Sequence, residues 1–183
     1  MNLLERYIKL ILLESRDSIT LEKGWKDYPL TNIQVLLCKS DKVLGEVNGY
    51  SVNMECSSVD GSECYEEIYD LIERFPQVLD ESGNPRIAEV YQSEIYDVNY
   101  RMKGFGVDMY IEFMSRYWNE NSMGKPFILI PNGCNLEMEG NNTEDSMRVW
   151  EALSRNFESS GNSYSICIAV LEKPMKNFRR NFE

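Results

Sequence analysis

Tyr96-Asp97-Val98-Asn99-Tyr100-Arg101-Met102-Lys103-Gly104-Phe105-Gly106 is the stretch whose reading decides the fold. A β-prone run, Arg86 to Tyr96, leads into it, carrying Ile87, Val90, Tyr91 and Ile95. Directly after it, Val107, Tyr110, Ile111, Met114 and Trp118 recur at helical spacing, which predicts a helix over 105–119. Two glycines and two cations, Arg101 and Lys103, therefore sit where a strand gives way to a helix. A helix N-terminus leaves backbone N–H groups without intrahelical acceptors and carries partial positive charge. Several such donors aimed at one point bind phosphate. Glycine serves there by letting the phosphate approach the backbone, or by supplying a positive φ.

Other phosphate motifs fit this turn less well. The dinucleotide fingerprint needs a third glycine three residues after Gly106, and that position is Met109. A nucleotide-binding P-loop needs Gly-Lys-Ser/Thr after the turn, and it is absent.

Downstream of the turn, Phe127-Ile128-Leu129-Ile130 is a continuously apolar run within 126–131, as expected of a strand covered on both faces. Thr143 is an N-cap candidate for a helix over 144–157, whose stripe is Met147, Trp150, Leu153 and Phe157. Tyr164 to Leu171 reads as one last strand. Upstream, 32–38 and 43–54 read as a hairpin, with a bend at Gly45 or Gly49. Residues 63–75 read as a helix whose outer face is acidic, and Pro76 ends it. Residues 2–15 read as an amphipathic helix and 18–30 as irregular. The expectation is one mixed α/β (α+β) domain over 1–183, with an N-terminal helical segment (1–31) and a basic tail (172–183).

The net charge of −11 repels a nucleic-acid backbone and suits a cationic substrate such as an amine. The absence of histidine removes the Ser-His and Cys-His pairs that activate most nucleophiles, and with them the commonest zinc ligand. Five cysteines at wide spacings, without a C-x-x-C pair, give no disulfide framework and no metal site. The expected compartment is therefore reducing and cytoplasmic. Glu5, Arg6 and Lys9 interrupt the apolar N-terminus, so neither a signal peptide nor a membrane span is expected.

Residues Tyr96 to Gly106 resemble the central-strand end and pyrophosphate loop of the GNAT (N-acetyltransferase) superfamily. The family pattern there is R/Q-x-x-G-x-G/A with an aromatic before the arginine, and Tyr100 fits. The helix, strand and helix that follow match the family's order, and Met147 to Leu153 resembles its last helix. The likeness spans roughly 32–171. It implies a GNAT-like, mostly antiparallel sheet with splayed central strands flanked by helices. It also implies acetyl-CoA or another acyl-CoA held at Arg101, Met102, Lys103, Gly104, Phe105 and Gly106, with its pantetheine arm between strands 86–96 and 126–131.

The reaction so implied is direct acyl transfer to a small-molecule or protein amine, with no metal. Glu89 and Glu94 are the candidate bases. They stand five apart and so point to opposite faces of a regular strand, unless a bulge intervenes. The family's acid, a tyrosine of the last helix, is replaced by Trp150; an indole N–H does not titrate usefully. Tyr164 or Tyr110 could substitute. Two alternatives stand beside transfer: an inactive binding or inhibitory protein of the same fold, and an unrelated α/β domain whose glycines merely shape the turn. A homodimer is left open.

Overall fold

Alternation of apolar and polar residues in 32–52 drives the first half of the sheet. Val35 and Leu37 are fully buried, while Gln34 and Leu36, which alternate with them, point the other way. The computed structural model describes residues 19–24, 32–39, 41–52, 63–101, 103–131, 144–165 and 168–175. The N-terminal helix expected over 2–15, the tail from 176 and Met102 lie outside these.

Among the described residues seven strands form one sheet: β1 (Ile19–Lys23), β2 (Asn32–Lys39), β3 (Lys42–Val52), β4 (Ile87–Ile95), β5 (Phe127–Pro131), β6 (Ser163–Ser165) and β7 (Ile168–Leu171). Their spatial order is β1-β2-β3-β4-β5-β7-β6. Every neighbouring pair is antiparallel except β4 and β5. The helices are α1 (Glu63–Arg74), α2 (Phe105–Arg116) and α3 (Glu144–Ser160). The molecule is thus mixed α/β with a mostly antiparallel sheet.

The helices divide between the two faces. Met109, Phe113, Leu153 and Phe157 of α2 and α3 share one core with Val35, Val47, Val90, Leu129 and Leu171. Ile68 and Leu71 of α1 share a second with Ile87, Ile128, Ile130, Ile168 and Val170. Strands β5 and β7 are clad on both sides, which explains their unbroken apolar runs. Phe113 lies on the sheet where Gly49 leaves room: a Cβ at Gly49 would stand 2.5 Å from the ring. Helix α2 ends in a π-turn, Tyr117–Asn121. There the Tyr117 hydroxyl donates to the Ile87 carbonyl at 2.9 Å, tying the helix end to the start of β4.

Two expectations change. Residues 19–23 are a strand, because Ile19 and Leu21 turn toward the α2 side and pair with Lys39 and Leu37 of β2. The expected single strand over 164–171 is a hairpin, with Ser165 paired to Ile168. No helix among the described residues is long and apolar enough to cross a membrane.

Candidate functional site

Strand β4 organises the site. Its first residues pair with β5 in parallel, from Ile87↔Ile128 to Val90↔Pro131. Beyond that, Gln92 to Ile95 keep their partners on β3 but have no strand partner on the β5 side among the described residues. Since a strand rises about 3.3 Å per residue, these four residues leave about 13 Å of β4 without a described partner on that side.

The ladder between β3 and β4 skips one residue. Asn48 pairs with Gln92 and Gly49 with Val90, so Tyr91 is bulged. The bulge resets the parity of the strand. Glu89 stands opposite Tyr50, and Glu94 opposite Glu46. Residues directly opposite share a face. Tyr50 and Glu46 are four apart on β3, so Glu89 and Glu94 lie on the same face, not on opposite ones. That is the face which α1 covers further along, over β5 and β7.

A polar stripe therefore runs along β3 and β4. Tyr50 Oη donates to Glu89 Oε2 at 3.0 Å. Asn48 Nδ2 donates to Gln92 Oε1 at 3.2 Å. Gln34 Nε2 donates to Glu46 Oε2 at 2.7 Å, and Tyr96 Oη donates to Glu46 Oε1. Glu46 and Asn48 are buried, and Asn48 Oδ1 has no hydrogen-bond partner. Acceptors dominate, so the stripe suits a donor or a cation. Burial, the hydrogen bond to Glu89 and that carboxylate's charge push the Tyr50 phenol up to about 12. Burial, and then Glu46, push Tyr96 up further. Both phenols stay protonated as donors at neutral pH.

At the end of β4 the chain makes a short 3-10 turn, Val98–Tyr100, capped by Asp97, whose side chain accepts from the Asn99 N–H at 3.0 Å. That backbone bond, and then Lys42, hold the Asp97 carboxyl below its usual range. Gly104 follows as the N-cap of α2 with φ 85°, in the left-handed region. The first intrahelical bond runs from Asp108 N to Gly104 O, so the N–H groups of Phe105, Gly106 and Val107 precede it. The two glycines of the motif have different reasons. A Cβ at Gly104 would meet nothing within 4 Å, so φ alone selects glycine there. A Cβ at Gly106 would stand 3.0 Å from Val149 Cγ2, so Gly106 answers to the packing of α2 on α3.

Of the residues singled out in the sequence, Arg101, Lys103, Gly104, Phe105 and Gly106 do gather at this turn. Arg101 is anchored by its Nε, which donates to the Ile95 carbonyl at 2.9 Å. Trp150 and Tyr110 pack edge to face, 5.4 Å between ring centres, and both are buried. They are core, as their helical spacing allowed. Tyr164 pairs with Ala169 in β6; its side chain lies outside the description. Sequence reasoning missed Lys39, whose Nζ donates to Tyr100 Oη at 3.2 Å from the end of β2. It also missed Glu46, Asn48 and Tyr50. Alternation along β3 could have grouped these three, but not set them beside Glu89. Among the described residues no three His, Cys, Asp or Glu groups converge as metal ligands. No protein-family model matches the chain, and no curated protein matches it.

Proposed function

We propose that this chain is a GNAT-type N-acyltransferase that moves an acyl group, acetyl above all, directly from coenzyme A to a cationic amine. The observation that carries the proposal is the parallel pair β4–β5, which among the described residues ends at Val90, with the Arg101–Gly106 turn and the start of α2 at the far end of β4. That is the arrangement a GNAT-like sheet with splayed central strands would have. The seven-strand order, with β7 between β5 and β6, agrees with it. The family pattern takes glycine or alanine at the position of Gly106, and the 3.0 Å spacing to Val149 fits a site where only the smallest side chains are admitted.

In this proposal the N–H groups opening α2, with Arg101, hold the pyrophosphate. The edge of β4 beyond Val90, which has no partner among the described residues, offers backbone groups to the pantetheine amides. Glu89 or Glu94, now on one face, takes a proton from the substrate ammonium. The freed amine attacks the thioester carbonyl, the C–S bond breaks, and the thiolate takes up a proton from Tyr164 or water. The acceptor-rich stripe of Glu46, Asn48 and Glu89 supports a cationic acceptor.

One observation favours a second proposal. Trp150 is buried where the family pattern has an acid tyrosine, which suits a protein of this fold that binds coenzyme A without transferring from it. Calorimetry with acetyl-CoA and a thiol-release assay over an amine panel separate the cases. Transfer predicts that Glu89→Gln or Glu94→Gln lowers kcat about 10²–10⁴-fold while acetyl-CoA affinity holds. Binding without thiol release for any amine supports the inactive protein. No binding of acetyl-CoA overturns both.

A further inference from the structure

The cations nearest the turn are not neutralised, although the chain carries a net charge of −11. Lys39 Nζ lies 5.7 Å from the Tyr100 ring centre, and Lys103 Nζ lies 5.2 Å from the same centre. Phe105, the first residue of α2, packs against that ring with 6.1 Å between centres. Neither lysine reaches a carboxylate among the described residues, and neither does Arg101. A carboxylate is nearby, since Asp97 pairs with Lys42 at 3.1 Å on the same hairpin. Two ammonium groups held at one tyrosine add positive potential beside the turn, which a bound anion would offset.

We infer that Lys39 and Lys103, held at Tyr100, form a phosphate-monoester subsite distinct from the pyrophosphate turn. Its ligand is the ribose 3′-phosphate that distinguishes coenzyme A from 3′-dephospho-coenzyme A. This rests on the acyl-CoA reading of the turn. A monoester carries close to two charges and three acceptor oxygens, which match two ammonium groups. The pyrophosphate spreads its two charges over two phosphorus centres and has the helix N–H groups and Arg101 to hold it. Lys39 arrives from β2, outside the motif, and adds recognition that the turn does not contain.

Calorimetry of the full chain with coenzyme A and with 3′-dephospho-coenzyme A tests this. The expected result is binding about tenfold or more tighter for coenzyme A, the size of one charge-assisted hydrogen bond. Lys39→Ala and Lys103→Ala should each bring the ratio toward one by weakening coenzyme A alone. Lys39→Arg should keep the ratio, and so should Lys42→Ala, a control for general charge. Equal affinities in the unaltered chain would overturn the subsite and leave the acyl-CoA reading standing, as would equal weakening of both ligands by Lys39→Ala. If neither ligand binds, the acyl-CoA reading falls, and the subsite with it.

Discussion

Replacing each motif glycine by alanine should separate two effects that look alike in the sequence. At Gly104 the backbone holds φ 85° with open space around the missing Cβ. An alanine there meets no neighbour but must adopt the left-handed region, which costs about 1–2 kcal/mol. In a chain of 183 residues, 1 kcal/mol moves Tm by about 2–4 °C, so the expected fall is about 2–8 °C. At Gly106 the backbone is helical, and alanine gains up to about 1 kcal/mol of helix propensity over glycine. Against this stands a Cβ 3.0 Å from Val149 Cγ2, on a β-branched side chain that cannot simply rotate away. The two effects oppose, and the net change should stay within about 1 kcal/mol of zero. Pairing Gly106→Ala with Val149→Ala removes the crowding and should reveal a coupling of about 0.5 kcal/mol or more. Urea melts with linear extrapolation, together with thermal melts, measure all four variants. The reasoning fails if Gly104→Ala is neutral, or if Gly106→Ala is the costlier of the two single changes.

Three further outcomes follow from the sheet. Gly49→Ala would place a Cβ 2.4 Å from the Glu89 carbonyl oxygen and 2.5 Å from the Phe113 ring, and should cost about 1–3 kcal/mol or more in chemical melts. Phe113→Leu in that background should recover part of the loss; no recovery would mean that the β4 backbone alone limits the site. Glu46→Ala removes the acceptor from Gln34 and Tyr96 and should cost about 1–3 kcal/mol, whereas exposed Glu94→Ala should change stability by no more than about 0.5 kcal/mol. Equal effects would deny Glu46 its structural part. The Tyr50 phenol is raised from 10.0 to about 12 in the folded chain, so its contribution is whole below pH 10 and is lost as pH rises through about 12. Tyr50→Phe should therefore lose less stability across that window than the unaltered chain, as read from urea melts at stepped alkaline pH.

What the sequence disclosed and what it hid divide along physical lines. The strands at 32–39, 42–52, 87–95 and 127–131 and all three described helices were legible, because each carries several turns or pleats of periodic burial. Strand β1 was not, because five residues beside Gly24 and Pro29 show two apolar positions and no more. The hairpin of β6 and β7 was hidden by an unbroken apolar run, since Ile166 and Cys167 give no glycine or asparagine signal. The turn at Arg101–Gly106 was legible as a local unit, being contiguous. Its two glycines were not told apart, because the contact with Val149 spans more than forty residues. Nor was Lys39 placed at Tyr100, sixty-one residues downstream. The pairing of Glu89 with Tyr50 and of Glu94 with Glu46 needed the register of two strands, and no local pattern announces a bulge at a tyrosine.

That bulge bears on how the strand can gain or lose residues. If Tyr91 were deleted, Val90 would be followed by Gln92. Simple alternation would then leave Gln92 and Glu94 opposite Asn48 and Glu46, with Ser93 and Ile95 on the α2 side, where they already are. An insertion or deletion of one residue away from the bulge, with the bulge kept, would turn part of the strand inside out, sending a carboxylate into the core or Ile95 away from it. The bulge at Tyr91 thus marks where a residue could have been added to a regular strand, or removed from this one, without exchanging its two faces. A related chain one residue shorter here would keep both glutamates in place, and a gap set outside Glu89 to Glu94 would misalign them.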